Sequence, residues 1–378
     1  MRIVYYHYLI AKMGGVERVF TEKMNYLADI CRYDVFLITL YQGNHPLYYK
    51  LSPKVKHIDM GIRSDYKYKM PKYKRFYIEH KYNKQICKKF QEIISEINPD
   101  IITAVAGEAS TFILEIQTKA KIIMESHQAR YLTGTHHHWL HPIQLMKNIK
   151  MQIAMQKIER KSDAIVTLTK ADAKNWNKNK TIVIPNVVAP KVSKISTHTH
   201  KTVIAAGRLV YQKGFDQLID VWKIVNESKK DWTLKIFGEG RLHHNLQRRI
   251  KSYNLENYIK IMPPINNIEQ ELLKSSIYTL SSRYEGYALV LVEAMQCGVP
   301  CVAFNCPYGP AEIIEDGKNS ILVQNGNIKQ LANAILKLIE DEELRKKMSQ
   351  AAIEKAKEYL PEKVMPKWTK LFNELTGK

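Results

Sequence analysis

Short apolar runs alternate with helix-period segments along nearly the whole chain, and near residue 200 the alternation stops and starts afresh. Strands separated by helices form parallel sheets with helices on their faces, and a restart after a polar stretch marks a second such unit. In the first half, strands are expected at residues 2–9, 34–40, 101–105, 121–125 and 163–169. In the second they are expected at 202–206, 232–237, 259–262, 278–281, 300–304 and 320–323. Gly14-Gly15 opens a helix whose apolar positions Val16, Val19, Phe20, Met24 and Leu27 follow the helical period. No period holds between residues 126 and 142, and residues 172–180 read as a polar helix. Residues 182–190, with two prolines, and the polar stretch 191–201 read as the crossing between units.

At 378 residues the chain is too long for one ordinary core. The expectation is an α/β protein with an N-terminal domain over residues 1–188, a C-terminal domain over 189–360 and a helix over 361–378. That last helix puts Val364, Trp368, Leu371 and Phe372 on one face. No window approaches the length of a membrane span, and the strand beginning at Arg2 leaves no room for a signal peptide, so cytoplasmic residence is expected.

The cysteines Cys31, Cys87, Cys297, Cys301 and Cys306 are odd in number and sit in apolar contexts, which argues against a disulfide framework. Cys301 lies inside an apolar run whose alternate side chains face opposite sides of a strand, so packed thiols are expected rather than a metal site.

Charge is unevenly spread. The chain has 58 Lys/Arg against 37 Asp/Glu, net +21, and residues 1–190 hold 30 and 16 of these, net +14. The densest stretch contains Lys67, Lys69, Lys72, Lys74, Arg75, Lys81, Lys84, Lys88 and Lys89 against the single acid Glu79, with six aromatic residues interleaved. It fits a solvated helix face, an anionic membrane surface or a diphosphate-bearing acceptor. The membrane surface is the partner expected, because lysines and aromatic rings together suit the headgroup region; nucleic acid is not.

Three segments carry chemistry. Gly14 and Gly15, between a strand and a helix N-terminus, let a backbone approach a phosphate, or make an ordinary tight turn. Arg208 and Lys213 sit five apart in a strand-to-helix loop, as a diphosphate clamp or as two solvated cations. Most specific is Ser281 through Met295. Glu285 and Gly286 lie in a strand-to-helix loop, and a helix expected from about Tyr287 aims free N–H groups outward while Glu293 follows eight residues after Glu285. The two carboxylates suit the vicinal hydroxyls of sugars, and Glu293, among Leu291, Val292, Ala294 and Met295, requires a partner if buried.

Together with Phe237-Gly238-Glu239-Gly240, Gly298-Val299-Pro300 and residues 306–314, these segments resemble the signature of family 4 retaining glycosyltransferases of the GT-B fold. The branch resembled is the bacterial one that builds capsules, exopolysaccharides and lipid-linked oligosaccharides. The likeness covers nearly all of residues 200–340; in the first half only residues 14–18 and 125–128 carry it. Asn319-Ser320 stands where that family often has a glycine, a change expected to alter only a turn.

The resemblance implies two Rossmann-like domains facing a central cleft, with the final helix crossing back to the first. It implies transfer of a hexose or N-acetylhexosamine from a nucleotide sugar, UDP-linked with GDP-mannose as the alternative, to a glycan or lipid-linked glycan acceptor at the inner membrane face. Retention by a front-face route would need no protein nucleophile, and no metal or other cofactor. Carried over by position, Arg208 and Lys213 would hold the diphosphate, Glu293 the ribose hydroxyls, and Glu285 the sugar. Backbone N–H groups of Gly286, Tyr287, Ala288, Leu289 and Val290 would meet sugar and phosphate oxygens. Gly14 and Gly15 would approach the diphosphate from the other domain, and His127 would sit beside the sugar. Catalytic roles would fall to His127, Glu285, Arg208 and Lys213. The competing readings are a UDP-sugar epimerase of the same fold and a non-catalytic basic membrane- or nucleic-acid-binding module. The cluster His136, His137, His138 and His141, beside Trp139, fits a metal site, an acceptor-side loop or an incidental surface loop.

Overall fold

Most strands that the alternation marks are followed by a helical segment that carries the chain back, and parallel pairing is the outcome throughout. The computed structural model describes residues 1–63, 72–130, 142–190 and 193–378. His136, His137, His138, Trp139, His141, Lys67 and Lys69 therefore lie outside the described residues. The chain divides into two compact units, Met1–Val187 with Val364–Lys378, and Val188–Lys363.

The first unit runs β1 (Arg2–His7), α1 (Gly15–Asp29), β2 (Asp34–Thr39), β3 (Lys56–Asp59), α2 (Lys72–Ile97), β4 (Ile101–Val105), β5 (Lys121–Ser126), α3 (Pro142–Lys161), β6 (Ala164–Thr167), α4 (Lys170–Ala173) and β7 (Thr181–Val183). Its seven-stranded parallel sheet has the order β3-β2-β1-β4-β5-β6-β7. The second runs β8 (Thr202–Ala206), α5 (Phe215–Ser228), β9 (Thr233–Phe237), α6 (His243–Ser252), β10 (Ile259–Met262), α7 (Glu269–Leu272), β11 (Ile277–Leu280), α8 (Leu289–Gln296), β12 (Cys301–Asn305), α9 (Pro310–Ile313), β13 (Ile321–Gln324), α10 (Ile328–Glu340) and α11 (Glu342–Ala356). Its sheet order is β10-β9-β8-β11-β12-β13, again parallel. Helix α12 (Pro361–Thr376) follows, and from Val364 it belongs to the first unit, burying Val364, Met365, Trp368, Leu371 and Phe372.

Both sheets are the doubly wound kind, with helices covering both faces. Their central strands are accordingly apolar on both sides: Ile3, Val4 and Tyr5 in β1, and Cys301 through Phe304 in β12, are buried. In each sheet the strand order reverses beside the first strand, between β1 and β4 and between β8 and β11. The crevice outside the carboxyl ends there is where such sheets receive ligands.

Three sequence expectations are corrected. Strands β3 and β7 are not among the expected ones, and Ile182 and Val183, read as part of the crossing, belong to the first sheet. Both are edge strands, where polar residues are tolerated and the alternation is lost. The helix expected over residues 172–180 is only α4, capped by Thr169 Oγ1, which accepts from the Asp172 N–H at 3.0 Å. It gives way to tight turns, the Asn175 N–H donating to the Asp172 carbonyl at 2.9 Å and the Trp176 N–H to the Ala173 carbonyl at 3.1 Å, and further on Asn177 Oδ1 accepts from the Asn179 N–H at 3.0 Å. The thiols of Cys297, Cys301 and Cys306 are buried, and burial pushes Cys297 and Cys301 up to about 12. Asn319 and Ser320, also buried, stitch their turn: Ser320 Oγ accepts from the Cys301 N–H and Asn319 Oδ1 from the Glu315 N–H, both at 3.0 Å.

Candidate functional site

In the second unit the loops after β8 and β11 meet at the strand-order reversal. The stem of Lys213 lies over Gly207, whose added Cβ would be 3.2 Å from Lys213 Cδ and Cε. Lys213 Nζ then reaches Glu285 Oε1 at 2.7 Å, and Ser282 Oγ donates to the same oxygen at 2.5 Å. Glu285 is buried. The two loops are sewn together elsewhere as well. Ser281 Oγ donates to the Lys213 carbonyl at 3.0 Å, the Arg283 N–H to the Gln212 carbonyl at 2.8 Å, and the Arg283 guanidinium forks onto Asp216 at 2.8 and 2.6 Å. Burial works against the Asp216 anion, but that guanidinium keeps its carboxyl below the usual range. Arg208 is exposed, and its side chain has no hydrogen-bond or ion-pair partner among the described residues.

Two glycines permit this geometry. Gly214 has φ +62°, and a Cβ there would lie 2.1 Å from the Ser281 carbonyl oxygen. At Gly238, φ +156°, a Cβ would lie 1.9 Å from the Gly207 carbonyl oxygen. Gly214→Ala should lower unfolding free energy by about 1–3 kcal/mol and displace the Lys213 loop, read as a fall in the chemical-denaturation midpoint.

The helix that carries Glu293 begins at Leu289, two residues later than the sequence suggests, because Ala288 takes the left-handed conformation at φ +66°. Tyr308, whose loop neighbour Gly309 closes against the Tyr287 carbonyl, is left-handed too, at φ +59°. Strained non-glycine residues persist where the surroundings over-determine them, and they cluster at working sites. Among the described residues the N–H groups of Gly286, Tyr287, Ala288, Leu289 and Val290 have no acceptor. Glu293 is buried one turn into α8. Tyr278 lies near both carboxylates: burial first, and then Cys301, Glu285 and Glu293, drive its phenol well above its ordinary value. The site thus offers one unpaired cation, one shared cation, a run of free N–H groups and two buried carboxylates. Such a set can bind an anion and accept hydrogen bonds from hydroxyls.

The first unit holds a second polar cluster that sequence reasoning missed. Lys23, on the buried face of α1, donates to both oxygens of Glu125 at 2.5 Å, and both side chains are 1% exposed. Thr103 Oγ1 adds a bond to Glu125 Oε1 at 3.0 Å, and His127 Nε2 stands 3.0 Å from Glu125 Oε2. Three rings face the Lys23 ammonium, Trp368 of α12 at 3.9 Å, Phe20 at 4.9 Å and Tyr5 at 5.4 Å. Burial alone would raise Glu125, but Lys23 and His127 overrule it and hold the carboxyl at about 2. The signal for this cluster was present: Lys23 occupies a position in the apolar stripe of α1, where a charge requires a buried partner. The loop bearing His127 is fixed at both ends by Asp172, which accepts from Ser126 Oγ at 2.7 Å and from the Arg130 N–H at 2.8 Å. His7, at the end of β1, and His127 both pack edge-on to Phe20. Gly14 is the extended N-cap of α1 and Gly15 its first residue, and the Glu17 carboxylate lies against Gly14.

The family model for glycosyltransferase family 4 matches residues 13–192, and that for glycosyl transferases group 1 matches residues 191–355. An uncharacterized glycosyltransferase of Haemophilus influenzae is 31% identical over 367 residues, 95% of this chain and 96% of that protein. The chain belongs to glycosyltransferase family 4. An amylovoran biosynthesis glycosyltransferase of Erwinia amylovora is 39% identical to this glycosyltransferase over 171 residues, 45% of this chain and 48% of that protein. Among solved structures, a variant of S. aureus TarM in complex with fondaparinux, alpha-GlcNAc-glycerol and UDP superposes with a TM-score of 0.77 at 18% identity, covering 98% of this chain and 99% of that one. The glycosyltransferase therefore has the GT-B fold. Among the described residues no helix is long and apolar enough to cross a membrane.

Proposed function

We propose that this glycosyltransferase moves a hexose or N-acetylhexosamine from a UDP-sugar to a glycan or lipid-linked glycan acceptor in bacterial surface polysaccharide synthesis, with retention of configuration. The observation that carries the reading is the Lys213–Glu285 pair, held at the strand-order reversal beside exposed Arg208 and the free N–H groups of Gly286 to Val290. The UDP bound by the TarM structure and the amylovoran biosynthesis named for the Erwinia relative support it.

Arg208 and Lys213 take the diphosphate, Glu293 the ribose hydroxyls and Glu285 the sugar. As the sugar–phosphate bond breaks, negative charge grows on the diphosphate, and fixed cations and N–H groups stabilise it without reorganising. The same groups supply the positive charge for which other transferases use a divalent ion, so turnover proceeds without metal. The leaving phosphate oxygen takes the acceptor proton. We place the acceptor at an anionic membrane face, met by the basic stretch that includes exposed Lys84 and Lys88.

Thermal unfolding against a panel of nucleoside diphosphates and nucleotide sugars tests the donor. A ligand at one hundred times its dissociation constant adds about 2.7 kcal/mol. Stabilisation by uridine nucleotides, equal with Mg²⁺ or with a chelator, is expected; dependence on Mg²⁺ or a preference for guanosine nucleotides would revise the reading.

A further inference from the structure

Helix α3 is apolar on two opposite faces. One face, with Ala154, Met155 and Ile158, is buried in the core of the first unit. The other carries Leu145, Met146, Ile149 and Ile153, 47%, 62%, 50% and 60% exposed. These four positions fall within about a third of the helix circumference, and large exposed apolar side chains clustered this way mark an interaction surface. Exposed Lys150 and Arg160, with half-buried Lys157, border the stripe.

Where the stripe lies decides what it meets. Helices α2 and α3 both pack on the segment Glu108–Glu115 and share one layer of the unit. Each delivers the chain to the start of a strand, β4 and β6, so the amino-terminal half of each helix lies toward the carboxyl edge of the sheet, on the side of the His127 loop. Helix α2, with exposed Lys84, Lys88 and Lys89, thus shares one layer with the apolar stripe of α3. A second copy of the chain would bring like charge against like, since residues 1–190 are net +14. An anionic bilayer complements both features: headgroups meet the cations, and the acyl boundary takes the four apolar side chains.

We propose that the outer face of α3, at Leu145, Met146, Ile149 and Ile153, inserts into an anionic lipid surface. This rests on the lipid-linked acceptor reading, and it names insertion of α3, beyond charge contact by α2, as the means of docking.

Co-sedimentation with vesicles of phosphatidylglycerol and phosphatidylcholine, against phosphatidylcholine alone, tests it with the full chain. Binding is expected only with the anionic lipid, weakened but not abolished by high salt. Ile149→Ser with Ile153→Ser leaves the charge unchanged and should weaken binding at least about tenfold, the worth of one buried aliphatic side chain. Ile149→Asp with Ile153→Asp should abolish it, and an unchanged thermal midpoint in the serine variant shows the fold intact. Equal binding of variants and parent overturns the proposal, as does equal binding to both vesicle types. A dimer in light scattering that the serine variant dissociates overturns it in favour of a second copy. Nucleotide-driven stabilisation, measured in the same variants, reads the donor assignment separately and persists whether or not vesicles bind.

Discussion

Lys23→Met should destabilise the protein by about 3–5 kcal/mol, because it leaves the Glu125 carboxylate buried without its ammonium. Urea unfolding of the parent and the variant measures it. Adding Glu125→Leu to Lys23→Met should restore most of the loss, since removing both charges removes the uncompensated one. The pH dependence has a definite sign. In the parent, Lys23 and His127 hold the Glu125 carboxyl at about 2, below its unfolded value, so the carboxylate's contribution is present above the ordinary carboxylate range and is lost as pH falls toward about 2. In Lys23→Met the buried carboxylate keeps Thr103 and His127 but loses its ammonium, and burial then favours uptake of a proton on folding. Its deficit relative to the parent should therefore narrow as pH falls through the ordinary carboxylate range. A deficit that stays constant from neutral to acid pH would show that packing, not charge, sets the cost.

Lys213→Ala should cut kcat by about 10²–10³-fold at saturating donor, the usual loss when one fixed charge facing the developing anion is removed. The structure adds a condition. Lys213 is bonded to Glu285 at 2.7 Å, so a diphosphate held as proposed would share or displace that bond. Lys213→Arg should recover little, because the planar fork does not reproduce a point charge that must reach over Gly207. Steady-state rates with varied donor separate kcat from KM; normal kcat in Lys213→Ala would remove this residue from the site.

Legibility in the sequence followed local pattern. The buried central strands and amphipathic helices announce themselves through period, as do the second-unit motifs that cluster within a few residues of strand ends. The edge strands Lys56–Asp59 and Thr181–Val183 carry no such pattern, because one side of an edge strand can stay wet. The left-handed Ala288, which postpones α8, was invisible because alanine gives no hint of a conformation that glycine usually supplies. The Lys23–Glu125–His127 cluster escaped for another reason: Lys23 and Glu125 stand 102 positions apart, and only the sheet and α1 together bring them to bonding distance. Gly14 and Gly15 stood out by their place before a helix N-terminus and His127 by resemblance alone; the buried pair behind His127 shows only in the folded chain.

The place of Trp368 bears on how the protein is made. The ring lies 3.9 Å from the Lys23 ammonium, yet it belongs to the segment Val364–Lys378, synthesised only after the whole of Val188–Lys363. At ribosomal speed that segment takes on the order of ten seconds or more to emerge. Throughout that interval the nascent amino-terminal unit has its strands but lacks Val364, Met365, Trp368, Leu371 and Phe372, the side chains that α12 buries. Its apolar surface is a natural substrate for a holdase until the last helix leaves the exit tunnel, and amino-terminal maturation is tied to completion of the unit that follows it.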